Sequence, residues 1–283
     1  MDSIQWFPGH MAKTRKILEE NIKLVDVVTE ILDARIPLSS KNPLFNEIVK
    51  GKPVILALNK SDLSDIEITK GWEAWYASRG YMAVAVDSIS GKGIEKLKAA
   101  MRAAAKSKLE KDMQRGRIFR PLRTMVIGIP NVGKSTFINK IARRASAATG
   151  DKPGITRGKQ WIRINPDIEL LDTPGMLWPK LEDFKMALNL AAAGAIRDEA
   201  IDIVEVAAQL LNNLKIHYAR NIEKRFGIRC PEEKTGEELL KIAGLNRGCI
   251  ASGGEVDLMR IAAAVLDDFR GGKMGRISLE RPD

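Results

Sequence analysis

The 283-residue sequence predicts an α/β fold, in which a mostly parallel sheet of about six strands is followed by a small all-α domain. Two observations lead to this prediction. Short apolar, partly β-branched runs alternate with helical stretches in the first part of the chain, as in parallel strands joined by crossover helices. Beyond residue 178 no convincing strand follows, and apolar residues recur at helical spacing. The predicted domains are therefore residues 1–178 and residues 179–283.

Six apolar runs are the predicted strands of this sheet. They cover residues 25–34, 53–58, 81–86, 124–129, 161–164 and 168–171. Helices are predicted between them at residues 43–49, 68–78, 92–114 and 137–143, and after them at 185–196, 201–226 and 258–270. The second of these last three helices has a pattern that suggests one break. A glycine-rich loop precedes the final helix.

Composition excludes several classes of protein. A hydrophobic fraction of 45% and a charged fraction of 29% are typical of a folded domain. No apolar run reaches the roughly 18 residues that span a bilayer, and the first residues do not resemble a secretory signal. We therefore expect a cytoplasmic protein without a membrane partner. Cys230 and Cys249 do not have metal-ligand spacing, whereas the net charge of +10 predicts a polyanionic partner.

The segment Gly128-Ile129-Pro130-Asn131-Val132-Gly133-Lys134-Ser135 matches the phosphate-binding pattern G-x4-G-K-S. It lies between a predicted strand and a predicted helix, which is the context that the pattern requires. Backbone N–H groups of such a loop surround phosphate oxygens, while the lysine adds a positive charge and the serine hydroxyl binds Mg²⁺. The predicted nucleotide contacts are Pro130, Asn131, Val132, Gly133, Lys134, Ser135 and Thr136, with Lys134 also assigned to catalysis.

A second phosphate motif, Asp172-Thr173-Pro174-Gly175, follows the last predicted strand. Asp172 is expected to hold the Mg²⁺ through water, and the Gly175 N–H to contact the γ-phosphate. Thr156, in the loop after the phosphate-loop helix, is the predicted switch residue that binds Mg²⁺ and supports catalysis, with Thr149 as the alternative. The predicted Mg²⁺ ligands are thus Ser135, Thr156 and, through water, Asp172.

The base-reading motif Asn59-Lys60-Ser61-Asp62 follows an early strand. A carboxylate at this place accepts hydrogen bonds from N1–H and the 2-amino group of guanine, whereas adenine leaves it unpaired. Asn59 is expected to hold the loop against the phosphate end, and the Lys60 stem to cover one face of the base. Asp87 and Ser88 follow the next strand, where backbone N–H groups can read guanine O6. The sequence therefore predicts GTP and GDP as ligands.

The order of these motifs is rotated, because the base motif precedes the phosphate motifs. Ordinary GTPases have the opposite order, so the sequence predicts a circularly permuted P-loop GTPase domain. One consequence is mechanical. The Gly175 turn leads directly into the helical domain, and we expect γ-phosphate binding to fix the angle of that domain.

Two further motifs accompany the rotated order, Trp6-Phe7-Pro8-Gly9-His10-Met11 and Arg247-Gly248-Cys249-Ile250-Ala251-Ser252-Gly253-Gly254. With them the whole chain resembles the circularly permuted YlqF/YawG family of bacterial GTPases. The resemblance implies GTP hydrolysis in the cytoplasm, coupled to late maturation of the large (50S) ribosomal subunit. It also implies that the helical domain contacts 23S rRNA and that the subunit stimulates turnover. The alternative is a nucleotide-gated RNA-binding module whose hydrolysis is incidental.

The position after the Asp-x-x-Gly turn holds Met176, where many GTPases have a glutamine that orients the attacking water. A thioether cannot do this. Three replacements are open: the imidazole of His10, a K⁺ ion held by Asn131, or a group supplied by the ribosome. A basic set is also a candidate phosphate-binding face, namely Lys13, Arg15, Lys16, Arg115, Arg117, Arg120 and Arg123.

Overall fold

The computed structural model describes residues 10–114, 120–149, 161–178, 183–229 and 231–283. Its centre is a six-stranded sheet with the order β3-β2-β1-β4-β6-β5. Neighbouring strands are parallel except β5 and β6, which are antiparallel. The strands are β1 (Val27–Asp33), β2 (Val54–Asn59), β3 (Met82–Ala85), β4 (Leu122–Gly128), β5 (Trp161–Asn165) and β6 (Ile168–Leu171). The predicted mostly parallel sheet of about six strands is confirmed.

Strand β1 lies at the centre, between β2 and β4. It pairs with β2 through Asp33 and Asn59, and with β4 through Ile31 and Gly128. The carboxyl ends of these three parallel strands therefore meet at one edge of the sheet. In open α/β sheets, ligands bind beyond this edge. The base motif and the phosphate loop are thus brought together by β1, although they are far apart in the chain.

Nine α-helices are found within the described residues. They are α1 (His10–Asn21), α2 (Pro43–Ile48), α3 (Ile66–Ser78), α4 (Ile94–Gln114), α5 (Lys134–Thr149), α6 (Phe184–Ala192), α7 (Ile203–Phe226), α8 (Gly236–Asn246) and α9 (Leu258–Arg270). The sequence predicted neither α1 nor α8. Helix α7 departs from helical geometry at Tyr218 (φ −129°, ψ 30°), in agreement with the predicted break.

The central strands β1, β2 and β4 are buried on both faces, as expected for a parallel sheet covered by helices. On one face, Trp72 and Tyr76 of α3 pack against Leu32, Leu56 and Leu58. In the helical region, α7 packs against both α8 and α9. Gly236 begins α8 where a Cβ atom would lie 2.0 Å from the carbonyl oxygen of Ala208 in α7, so only glycine permits this contact.

The end of the chain returns to the sheet. The backbone N–H of Ile277 donates to the carbonyl of Leu63 at 2.9 Å, and that of Leu279 donates to the carbonyl of Arg35 at 2.9 Å. The final residues therefore pack on the sheet-bearing part of the chain. None of the helices in the described ranges has the length and apolar character needed to cross a membrane.

Candidate nucleotide-binding site

Asn59, the last residue of β2, connects three loops of the site. Its Nδ2 donates to the carbonyl of Val132 in the phosphate loop at 2.9 Å, and its Oδ1 accepts from the Ser88 hydroxyl at 2.6 Å. A Cβ atom on Gly133 would lie 2.4 Å from Asn59 Nδ2, and the φ of Gly133 is +94°. Glycine is therefore needed at this position for both backbone and packing reasons. Asn59 therefore holds the base and phosphate loops together.

A second link between the two loops comes from Lys60. Its ammonium donates to the carbonyl of Asn131 at 2.8 Å and lies 3.0 Å from the Asp33 carboxylate. Lys60 and Asn131 both have left-handed backbone conformations, with φ of 59° and 56°. Such conformations are costly for residues other than glycine and concentrate at functional sites. The contact orients the Lys60 stem along the edge where the base is expected.

Lys134 begins α5 and is almost fully buried. Its ammonium donates to the carbonyls of Gly128 and Ile129 at 3.3 and 3.2 Å, within its own loop. Burial lowers the pKa of Lys134 to about 8, while the nearby Asp172 carboxylate acts in the opposite direction. A phosphate group beside this lysine would restore its charge, because an opposite charge favours the ionised form. Ser135 and Thr136 follow in the exposed first turn of α5.

The Asp-x-x-Gly turn closes on this lysine. A Cβ atom on Gly175 would lie 2.8 Å from Lys134 Nζ and 3.2 Å from Pro130 Cα, so the turn and the phosphate loop are in contact. Burial raises the pKa of Asp172, and the Lys134 charge opposes this shift. Met176 is buried, and its carbonyl accepts from Asn42 Nδ2 at 2.9 Å. Its side chain therefore packs in the core and cannot orient water.

At the base end, Asp62 and Asp87 have different surroundings. Burial raises the pKa of Asp62, and the Asp87 carboxylate raises it further. The N–H donors of guanine would stabilise the Asp62 carboxylate. Asp87 instead accepts from the backbone N–H of Ile89 at 2.8 Å and of Ser90 at 3.1 Å. Its carboxylate shapes its own loop, and a contact between Asp87 and a nucleotide stays a prediction.

Two predicted catalytic residues cannot be placed. Thr156 lies outside the described residues, and so does the side chain of His10, although α1 begins at His10. Asn131, the predicted K⁺ ligand, donates from Nδ2 to the carbonyl of Gly194 at 2.7 Å. Because a carbonyl can only accept, the amide oxygen of Asn131 must point away from Gly194.

A buried ion pair at the end of β1 was missed by the sequence reasoning. Arg35 binds Asp33 with two hydrogen bonds, Nε to Oδ1 at 3.0 Å and Nη2 to Oδ2 at 2.8 Å, and both side chains are almost fully buried. Arg35 Nη1 also donates to the carbonyl of Phe269 in α9 at 3.0 Å. Burial alone would raise the pKa of Asp33, but Arg35 and Lys60 hold it well below the usual range. Asp33 therefore connects Lys60 to α9.

The side-chain oxygens near the phosphate loop fit a Mg²⁺ ion whose other ligands are phosphate oxygens and water. In the described parts of the chain, no group of three or more His, Cys, Asp or Glu side chains is arranged to hold a metal ion. Mg²⁺ in nucleotide sites needs only one or two protein oxygens together with phosphate oxygens and water. Ser135 at the start of α5 and Asp172 after β6 carry hard oxygen atoms of this kind.

Comparisons with known proteins agree with this geometry. A family model described as 50S ribosome-binding GTPase matches residues 123–228. Ribosome biogenesis GTPase A of Bacillus cereus is 44% identical over 99% of this chain and 94% of its own, and the Thermotoga maritima protein of that name is 30% identical over 99% and 95%. The GDP-bound structure titled TM YlqF superposes with a TM-score of 0.65 at 25% identity, covering 94% of this chain and 99% of that one. The chain hydrolyses GTP in ribosome assembly and belongs to the ribosome biogenesis GTPase A family.

Proposed function

We propose that the chain acts in the cytoplasm in late maturation of the large (50S) ribosomal subunit. In this proposal the GTPase domain is formed by residues 1–178, and the helical domain, residues 179–283, contacts 23S rRNA. The subunit stimulates GTP hydrolysis. The printed names of the relatives support ribosome assembly in general, and the family description names the 50S particle.

The observation that carries the coupling is the direct contact between nucleotide loops and helical region. Asn131 of the phosphate loop donates to the carbonyl of Gly194, just beyond α6. Arg35, which shares Asp33 with Lys60, donates to the carbonyl of Phe269 in α9. A rearrangement of either loop on nucleotide binding would move a hydrogen bond to the helical region. GTP and GDP states would therefore present different surfaces to the subunit.

Slow intrinsic hydrolysis follows from the buried Met176. GTPases that lack a catalytic group supplied by a partner hydrolyse GTP at only about 10⁻⁴ s⁻¹. Such a group raises the rate of hydrolysis by roughly 10³–10⁵. Mg²⁺, held by Ser135, Asp172 through water and Thr156, would neutralise phosphate charge. The group that replaces the glutamine is His10, a K⁺ ion at the Asn131 oxygen, or a ribosomal group. The subunit stimulates hydrolysis by supplying this group or by positioning it.

The alternative function is a nucleotide-gated RNA-binding module whose hydrolysis is incidental, and the missing glutamine favours it. The two functions differ in what hydrolysis does. If hydrolysis drives release, Lys134→Ala loaded on subunits with GTP should remain bound while the wild type leaves. If hydrolysis is incidental, the variant should bind less well and dissociate at the wild-type rate.

The proposed function is tested by GTP turnover with and without purified large subunits. We expect turnover to rise by at least about tenfold with large subunits. Small subunits are the matched control and should give no rise. Equal turnover with both, or with neither, would contradict the assignment to the large subunit.

A further inference from the structure

The positive charge of the chain is distributed unevenly. Residues 1–178 contain 30 Lys and Arg against 19 Asp and Glu, whereas residues 179–283 contain 16 against 17. The helical domain, to which the proposed function gives the rRNA contact, therefore has no excess of positive charge. Non-specific attraction to RNA comes mainly from neutralised phosphates. The excess of positive charge that attracts an RNA backbone therefore lies in the first 178 residues.

Many basic side chains of that part are balanced by one carboxylate each. Arg102 pairs with Asp167, and Arg123 pairs with Glu169. The buried carboxylate of Asp26 is instead shared by two cations, as is that of Asp33 at the nucleotide site. Arg120 binds it with Nη1 and Nη2, both at 2.7 Å, and Lys108 Nζ makes a further ion pair. The side chains of Lys108 and Arg120 remain 45% and 39% exposed, so both reach solvent.

Lys52 adds a third cation to this group. Its ammonium donates to the carbonyl of Val25, next to Asp26, at 2.6 Å. Burial lowers the pKa of Lys52, and the charges of Lys108 and Arg120 lower it further, against the opposing effect of Asp26. Asp26 itself stays ionised: burial would raise its pKa, but its hydrogen bonds to Arg120 and Lys108 lower it to about 2. Lys52, Lys108 and Arg120 therefore lie close to one another beside the Asp26 carboxylate.

The position of this group separates it from the nucleotide site. Asp26 directly precedes β1, Lys52 precedes β2, and Arg120 precedes β4. These are the amino ends of the strands whose carboxyl ends carry the nucleotide loops. A strand of seven residues, the length of β1, spans about 23 Å. The chain can therefore bind a nucleotide at one edge of the sheet and a second anion at the other.

We propose that Lys52, Lys108 and Arg120, which we call the Asp26 cluster, bind the phosphate backbone of ribosomal RNA. The inference rests on the proposed function and locates its RNA contact. A lysine ammonium has three hydrogen-bond donors, and the contacts of Lys52 and Lys108 described above use one donor of each. A phosphate between them replaces mutual repulsion with attraction. Such contacts fix the orientation of a protein on RNA without reading its sequence.

The test compares Lys52→Gln/Lys108→Gln with wild type in binding to purified large subunits and to protein-free 23S rRNA, across a series of KCl concentrations. Arg120 stays in place to hold Asp26. Each lost phosphate contact should reduce the slope of log K against log salt by about 0.7–0.9, and two contacts should weaken binding roughly 25- to 60-fold at about 0.1 M salt. The matched control is Lys70→Gln/Lys96→Gln, two exposed lysines paired with Glu67 and Glu73. This control should bind as wild type does.

GDP affinity should be unchanged in both double variants, because neither contains a residue of the nucleotide site, and this shows that both variants are folded. Thermal stability should fall in Lys52→Gln/Lys108→Gln only, because the buried Asp26 loses its ion pair with Lys108. If the slope of log K against log salt equals that of the control, the Asp26 cluster does not bind RNA, and the proposed function is unaffected. If wild type hydrolyses GTP but binds neither subunits nor rRNA, both proposals fail. If the cluster variant loses binding to anionic phosphatidylserine vesicles but keeps that to rRNA, the cluster binds membranes instead and the proposal is wrong.

Discussion

The buried ammonium of Lys134 predicts how nucleotide binding depends on pH. Burial lowers the pKa of this lysine to about 8, and a bound phosphate requires the charged form. GDP binding above neutral pH must therefore be accompanied by proton uptake. At pH 8 about half of the Lys134 side chains are neutral, so binding should take up about half a proton, and the affinity should fall about fourfold from pH 7 to pH 8.5.

The lowered pKa of Lys134 also affects folding: GDP affinity should fall as pH rises, whereas folding stability should rise. In the unfolded chain the lysine stays charged up to about pH 10.5, whereas in the folded chain it loses its proton near pH 8. The unfolded state thus binds more protons in this window, and folding stability rises with pH. For Lys134 alone the expected gain between pH 7 and pH 9 is about 1 kcal/mol. Urea denaturation of wild type and Lys134→Gln isolates this contribution.

Calorimetry in two buffers with different ionisation enthalpies measures the proton uptake. Lys134→Gln and Lys134→Arg are the controls, because one has no charge and the other keeps it throughout this range. Both should bind GDP without the extra proton, whatever their affinities. Equal uptake by wild type and both variants would refute the reasoning, since the proton would then come from another group.

Four further predictions follow from the site. Asp62→Asn should change the preference from guanosine to xanthosine nucleotides, with a loss of guanine discrimination on the order of 10⁴, measured by competition binding; retained guanine preference would exclude Asp62 as the base reader. Arg35→Met should cost about 3–5 kcal/mol in urea denaturation because it leaves the Asp33 charge buried, whereas Arg123→Met, at a half-exposed pair, should cost about 1 kcal/mol or less. Equal costs would show that burial of the Arg35 pair has no special weight. His10→Ala should lower turnover with large subunits and leave GDP affinity unchanged; a change within about twofold would remove His10 from catalysis. Replacing K⁺ with Na⁺ should slow hydrolysis by wild type but not by Asn131→Ala if the Asn131 oxygen holds the ion, and equal slowing of both would place the ion elsewhere.

The elements that sequence reasoning predicted well are those whose pattern is local. The six strands lie in short segments rich in apolar residues, and β6 lies where it was predicted, at Ile168–Leu171. Helix α8 was missed because it begins with Gly236 and contains Gly244, both of which disfavour helices in isolation. The structure explains both glycines by close packing, since a Cβ on Gly244 would lie 2.4 Å from Val256. In α8, tertiary packing therefore outweighs the low helix propensity of the two glycines.

The same distinction holds within the site. The phosphate and base motifs are short and could be read directly. The Arg35 link to Phe269 joins residues 234 positions apart, and no periodicity reports such a contact. One signal was available: Asp33 and Arg35 are charged residues directly at the end of an apolar strand. Charges at that place must pair or bind a ligand, because burying them alone is too costly.

The most direct test of the account is a calorimetric titration of the whole chain with GDP and Mg²⁺. The base motif at residues 59–62 and the phosphate loop at residues 128–135 should form one site. We expect one GDP per chain and a marked loss of affinity at that same site in both Asp62→Asn and Lys134→Gln. Two independent sites, or a variant that leaves the GDP affinity unchanged, would contradict the account.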